Sequence, residues 1–198
     1  MADWNLILEL ASVAVGLTCV FLAGRERVLN FHFGYLNVIL LTLLFASKRL
    51  YFSMALQPVC LAINILGHYR WTHPGKGEEN SRNELKIRHI SNSKVIIYAV
   101  SVILAGLLSG WAMQQCGQLW PEAFPPATRP YLDATVVAMT LLAQYLSAQK
   151  FLECWWCWLA VNTTNIILYI LAGMIFMPCV SACYLVLAII GLISWRKK

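Results

Sequence analysis

Charge is what this chain has least of. Asp, Glu, Lys and Arg make up 12% of its 198 residues, where an average soluble domain carries about 25%. Hydrophobic residues supply 60%. So few charges cannot cover a water-facing surface. This excludes an ordinary soluble fold and leaves apolar side chains turned to lipid. Seven spans of about 20 residues would use about 140 residues, so no separate soluble domain fits beside them.

Chemistry-bearing patterns are missing as well. No Ser-His-Asp set or carboxylate pair stands out, and the four His are scattered. A membrane enzyme acting on a lipid would need an acid and a base converging at one place, so the chain is expected not to be an enzyme. No phosphate-cradling glycine loop or nucleotide motif occurs, which removes an ATP-driven pump. The net charge of +6 does not point to nucleic acid, because no exposed module of basic and aromatic residues accompanies it. The seven cysteines are Cys19, Cys60, Cys116, Cys154, Cys157, Cys179 and Cys183. Six lie inside apolar runs, where a free thiol acts as a small hydrophobe, and their odd number speaks against a disulfide framework. Cys154-x2-Cys157 has metal or redox spacing but no second Cys pair or His beside it, and Cys179-x3-Cys183 is equally unsupported. Neither a metal nor a cofactor is expected. The first residues lack a positive segment and begin an overlong apolar run, which predicts that they are not a cleaved signal.

What the chain does have is apolar runs. They cover residues 5–23, 28–47, 50–69, 95–113, 134–149, 154–172 and 174–195. Each is near the length a helix needs to cross about 30 Å of hydrocarbon, and none alternates as a lipid-facing strand must. A polar stretch, residues 70–94, separates the third run from the fourth. A loop with Pro121, Pro125, Pro126 and Pro130 separates the fourth from the fifth. The loops after runs one, three and five, with the C-terminus, form side B. Twelve of the 15 Lys and Arg fall on side B, which predicts that side B is cytoplasmic and the N-terminus outside. Trp4, Trp71, Trp111, Trp120 and Trp195 stand at run ends, as an interfacial aromatic belt would.

A shift of 124 residues aligns the chain with itself. Glu9 falls on Asp133, Gly67 on Gly191 and Trp71 on Trp195. Runs one to three fall on five to seven, and the fourth has no partner. This predicts an all-α integral membrane protein with a 3+1+3 plan. Residues 1–71 form one three-helix repeat. Residues 72–130 form the polar linker, the connecting helix and the proline-rich loop. Residues 131–198 form the second repeat. The unpaired helix makes the two repeats parallel, a plan found in transporters with the substrate site at the repeat interface.

Polar side chains inside the runs are costly and often functional. The second run carries Asn30, His32 and Asn37, and the third Gln57 and Asn64. The fifth carries Asp133, Thr140, Gln144 and Ser147, and the seventh Ser181 and Tyr184. In the sixth, Trp155, Trp158, Asn162 and Asn165 recur at helical spacing as one stripe. Two aromatics followed by two amides suit a flat ring with a polar rim, held by stacking, cation–π attraction and amide hydrogen bonds. The alternative is that the amides bridge helices as structural glue. Among other signals, His32 is a candidate gate. His73 and His89 read as solvated linker residues, and Pro58 and Pro178 should kink the third helix of each half.

The segments Asn30-Phe31-His32-Phe33-Gly34-Tyr35-Leu36-Asn37, Leu50-Tyr51, Leu56-Gln57 and Asn64-Ile65-Leu66-Gly67-His68-Tyr69-Arg70-Trp71 resemble those of PnuC-type vitamin transporters. So do Asn83-Glu84-Leu85-Lys86-Ile87-Arg88, Tyr131-Leu132-Asp133 and Glu153-Cys154-Trp155-Trp156-Cys157-Trp158 with Asn162. The resemblance spans nearly the whole chain. It implies a SWEET-like 3+1+3 fold, a homotrimer in a bacterial inner membrane, and uniport of nicotinamide riboside with trapping by a cytoplasmic kinase. The implied partners are thus a small-molecule vitamin and the bilayer. The candidate substrate-binding residues, read from the polar and aromatic positions of the runs, are Asn37, Gln57, Asn64, Gln144, Trp155, Trp158, Asn162, Asn165 and Tyr184. His68, Cys154, His32 and Asn165 depart from the family pattern beside the expected cavity. They leave thiamine, then riboflavin, as alternative cargo. A non-transporting assembly protein is the more remote alternative.

Overall fold

The computed structural model describes residues 2–48, 51–80, 84–119, 129–171 and 173–197. Arg49, Leu50, Asn83, Trp120, Ala172, Lys198 and the prolines at 121, 125 and 126 lie outside the described residues. Among the described residues seven helices follow one another: α1 (Ala2–Gly24), α2 (Leu29–Ser47), α3 (Tyr51–Thr72), α4 (Asn92–Leu119), α5 (Pro130–Ala148), α6 (Cys154–Leu171) and α7 (Phe176–Arg196). Each coincides with one apolar run. The largest extension is α4, which outruns its apolar segment at both ends. Among the described residues five helices, α1, α2, α4, α6 and α7, are long and apolar enough to cross a bilayer. The other two, α3 and α5, are 22 and 19 residues long and carry polar groups that face inward. Outward, Ile7, Ile39, Leu104, Leu108, Ile170 and Ile193 are exposed, a surface suited to lipid.

Six helices close a ring of contacts. Helix α1 packs on α2 and α7, α2 on α3, α3 on α5, α5 on α6 and α6 on α7. Among the described residues α4 packs on α5 alone, so it stands outside the ring.

The two loops that end α1 and α5 are built alike. Arg27 N–H donates to Leu22 O and Glu26 N–H to Ala23 O; Phe151 N–H donates to Leu146 O and Lys150 N–H to Ser147 O. Each is the paired bond set of a Schellman motif, which needs a left-handed residue just past the helix and usually uses Gly. Here Glu26 (φ 56°) and Lys150 (φ 58°) take that place. A side chain in this conformation costs about 1–2 kcal/mol.

Beneath these loops lie two ring pairs. Phe31 meets Trp71 edge-on at 5.1 Å, and Trp155 meets Trp195 edge-on at 5.4 Å. Trp71 Nε1 donates to Ser147 O and Trp195 Nε1 to Ala23 O, each at 3.2 Å. The shift of 124 that aligns the sequence carries every member of one set onto the other. Trp71 and Trp195 are therefore not part of an interfacial belt: they are 3% and 1% exposed, because each bonds across to the opposite half. Trp4 and Trp111 are exposed. Pro178 is the third residue of α7, a first-turn position with no helical N–H bond to lose, so it forces no kink. Pro58 lies inside α3.

Candidate functional site

The ring of helices encloses a cavity of about 510 Å³, within the range of small-molecule sites. All nine side chains singled out in the sequence line it. Asn37 comes from α2, Gln57 and Asn64 from α3, and Gln144 from α5. Trp155, Trp158, Asn162 and Asn165 come from α6, and Tyr184 from α7. Helical spacing puts the α6 four on one face, and the ring closure turns that face inward.

Within this wall the polar groups differ in state. Asn162 Nδ2 donates to Trp158 O at 2.8 Å, and Gln57 Nε2 to Ser53 O at 3.3 Å. Asn37 Oδ1 is buried with no hydrogen-bond partner among the described residues, and such a group tends to be kept only where something serves it. Trp158 is half-buried, whereas Trp155 is 1% exposed with its ring laid against Gly191. Trp158 thus offers the more open aromatic face.

Two glycines seat the polar walls. A Cβ on Gly16 would collide with the Tyr184 hydroxyl and stand 3.5 Å from Asn37 Nδ2. A Cβ on Gly34 would lie 2.6 Å from Asn64 Oδ1. Gly16, Cys19 and Ala23 also line the cavity from α1. Their i, i+3, i+7 spacing of small residues was the available signal, hidden by the absence of any polar group. Cys60 and Tyr169 are further lining residues that sequence reasoning passed over.

Among the described residues the lining holds no Asp, Glu, His, Lys or Arg, and no group of three His, Cys, Asp or Glu could hold a metal ion. Of the four departures from the family pattern, only Asn165 faces the cavity. Cys154 is fully buried behind it. His32 and His68 cluster with Tyr35, whose hydroxyl lies 3.0 Å from His68 Nδ1. Neither histidine lines the cavity. His32 is exposed because its position on α2 points out of the ring, so it does not gate the cavity from within.

The polar linker is strapped to both halves, through Arg70 of α3 and through the loop that follows α5. Lys150, 2% exposed, pairs with Glu26 at 2.7 Å, donates to Leu85 O at 2.6 Å and sits 4.9 Å from the Trp71 ring centroid. Arg88 N–H donates to Lys150 O and Leu152 N–H to Arg88 O. Glu78 pairs with Arg70 and Arg88. The hydrogen bond from Arg70 holds the Glu78 carboxyl below the usual carboxylate range. His89 and the Ile90 N–H both reach Glu153, so His89 is paired as well as solvated, and His73 stacks on Tyr69.

Residues 6–197 match the family model described as nicotinamide mononucleotide transporter. The chain belongs to this PnuC-type family. It is 30% identical to the nicotinamide riboside transporter PnuC of Escherichia coli (strain K12), over 93% of this chain and 82% of that protein. It is 27% identical to the protein of the same name from Neisseria mucosa, over 95% and 72%. The crystal structure of the vitamin B3 transporter PnuC shares the fold, with a TM-score of 0.68 at 22% identity over 96% of this chain and 80% of that one. This PnuC-type chain is accordingly a membrane transport protein, and its helix ring encloses the cavity described above.

Proposed function

We propose that the chain carries nicotinamide riboside across a bacterial inner membrane by facilitated diffusion, and that a cytoplasmic kinase traps it afterwards. The observation that carries this reading is the character of the cavity. Its lining pairs an open Trp158 face with a ring of amides and hydroxyls and holds no charged side chain among the described residues. A flat cationic pyridinium suits the indole face, an attraction of about 2 kcal/mol when desolvated. The ribose hydroxyls suit the amides. A phosphate brings about −1.5 to −2 charges and would need Arg, Lys or a helix N-terminus there. The riboside is therefore preferred to the mononucleotide of the family's description.

In this reading all seven helices span the membrane, α1–α3 and α5–α7 are parallel repeats, and α4 is the connecting helix of a 3+1+3 plan. Three features support it. The helix ring maps onto itself under the 124-residue shift, the two Schellman loops match, and so do the two Trp-to-carbonyl bonds. Side B is cytoplasmic and the N-terminus outside. The domain division at residues 71 and 130 and the homotrimer are part of the same proposal. The nine cavity residues, Asn37 and Trp158 foremost, hold the substrate.

The test is uptake of labelled nicotinamide riboside into liposomes containing only this protein, without ATP or an ion gradient. Saturable uptake that stops at equal concentrations is expected. Uphill accumulation would replace uniport with coupled transport. Calorimetric binding of thiamine in place of the riboside would favour the thiamine alternative, which Asn165 leaves open.

A further inference from the structure

Glu26 and Lys150 stand at equivalent positions of the two halves, 124 residues apart, and they bond to each other. The pair joins the end of α1 to the end of α5 at side B. Lys150 is 2% exposed, and the Glu26 side chain is 10% exposed. A buried ion pair is a poor stabiliser, because desolvating two charges offsets most of their attraction. Both residues also occupy a backbone conformation that favours Gly. Two charged residues in strained, buried, matching places are better explained by a switch than by stability.

What they cover is the cavity floor. Ala23, Phe31, Ala148 and Trp155 line the cavity at this end. Behind Phe31 stands Trp71, and behind Trp155 stands Trp195, their centroids 6.1 Å apart. Lys150 rests over the Trp71 ring. The floor therefore belongs half to each repeat, and the Glu26–Lys150 ion pair fastens it across the middle beside the two Trp-to-carbonyl bonds.

We propose that Glu26 and Lys150, with the Phe31–Trp71 and Trp155–Trp195 ring pairs, form the gate that closes the side-B end of the cavity. Separation of the ion pair is the step that releases substrate there. Lys150 has a second hold, the Leu85 carbonyl, so the ammonium keeps a partner when Glu26 withdraws. This inference rests on the transporter reading above.

The reporters are already in the chain. Cys19 and Cys60 line the cavity as free thiols. With Cys116, Cys157, Cys179 and Cys183 replaced by Ser, a membrane-impermeant cationic methanethiosulfonate is applied to oriented vesicles from one side at a time. The otherwise unmodified gate should label faster from side A than from side B. Lys150→Met, and to a lesser degree Glu26→Gln, should speed labelling from side B by at least about tenfold, a one-decade shift of the closed population. Riboside binding by calorimetry should stay within a few-fold of the parent. Faster labelling from side B in the parent overturns the gate, and so does a parent-like side-B rate in either variant that elutes as folded protein. If neither variant folds, the side preference of the parent decides alone. Failure of the parent to bind any vitamin would instead overturn the transporter reading and leave the labelling result standing.

Discussion

In the first half Phe31 lies against Gly67 and Trp71 donates to Ser147; in the second Trp155 lies against Gly191 and Trp195 donates to Ala23. One ångström-scale plan thus appears twice at side B. Midway along the same helices the halves part. The shift that carries Phe31 onto Trp155 carries Gly34 onto Trp158 and Asn37 onto Val161. Where the second half places an indole, the first has no side chain at all and seats Asn64 in the space. The halves match where they fit each other, and differ where they line the cavity.

Four tests would break or sharpen that comparison. The largest effect should come from Trp158→Ala, which removes the open ring face. Stacking on an aromatic is worth about 1–3 kcal/mol, so calorimetry should show riboside affinity falling about 10- to 100-fold while the helical circular dichroism stays unchanged. Next is the seat of Tyr184. Gly16→Ala should weaken binding about tenfold, as overpacking by one methyl costs about 1–3 kcal/mol. Tyr184→Phe removes the colliding oxygen, so adding Gly16→Ala to Tyr184→Phe should change little. Additive losses in the double variant would show that Gly16 does not act through that hydroxyl.

Smaller effects are expected away from the cavity. The Glu78–Arg70–Arg88 strap fastens the linker to Arg70 at the end of α3 in the first half. Glu78 has its carboxyl pKa depressed in the folded state, so the bonds add stability above the ordinary carboxylate pKa of about 4.3. That stability is lost as pH falls through the lower folded value. Proteolysis within residues 74–90 should therefore rise below about pH 4, near the ordinary carboxylate value, and Glu78→Gln should be cut at the same rate at pH 7 and pH 4. The smallest effect belongs to His32→Ala. This exposed residue touches His68 and Tyr35 outside the ring, and riboside affinity by calorimetry should not change.

Much of the fold could be read from hydropathy, because each apolar run had to become a helix to satisfy its backbone in lipid. The cavity lining was legible for the same reason: Asn37, Gln57, Asn64, Gln144 and the α6 stripe are polar where polarity is penalised, and the ring turned all of them inward. What stayed hidden was of two kinds. Trp71 and Trp195 sit where a lipid-interface Trp would sit, and only their bonds across the halves reveal them as buried. Glu26 and Lys150 read as ordinary loop charges, because the left-handed backbone and their mutual approach are properties of the closed ring. Gly16 carries no side chain to notice.

The most direct measurement sets nicotinamide riboside against its 5′-phosphate in calorimetry on the purified protein. A cavity walled by Trp158, amides and hydroxyls, without a cation among the described residues, should bind the riboside at least about 100-fold more tightly, a difference of about 2.7 kcal/mol. Equal or tighter binding of the phosphate would contradict the account.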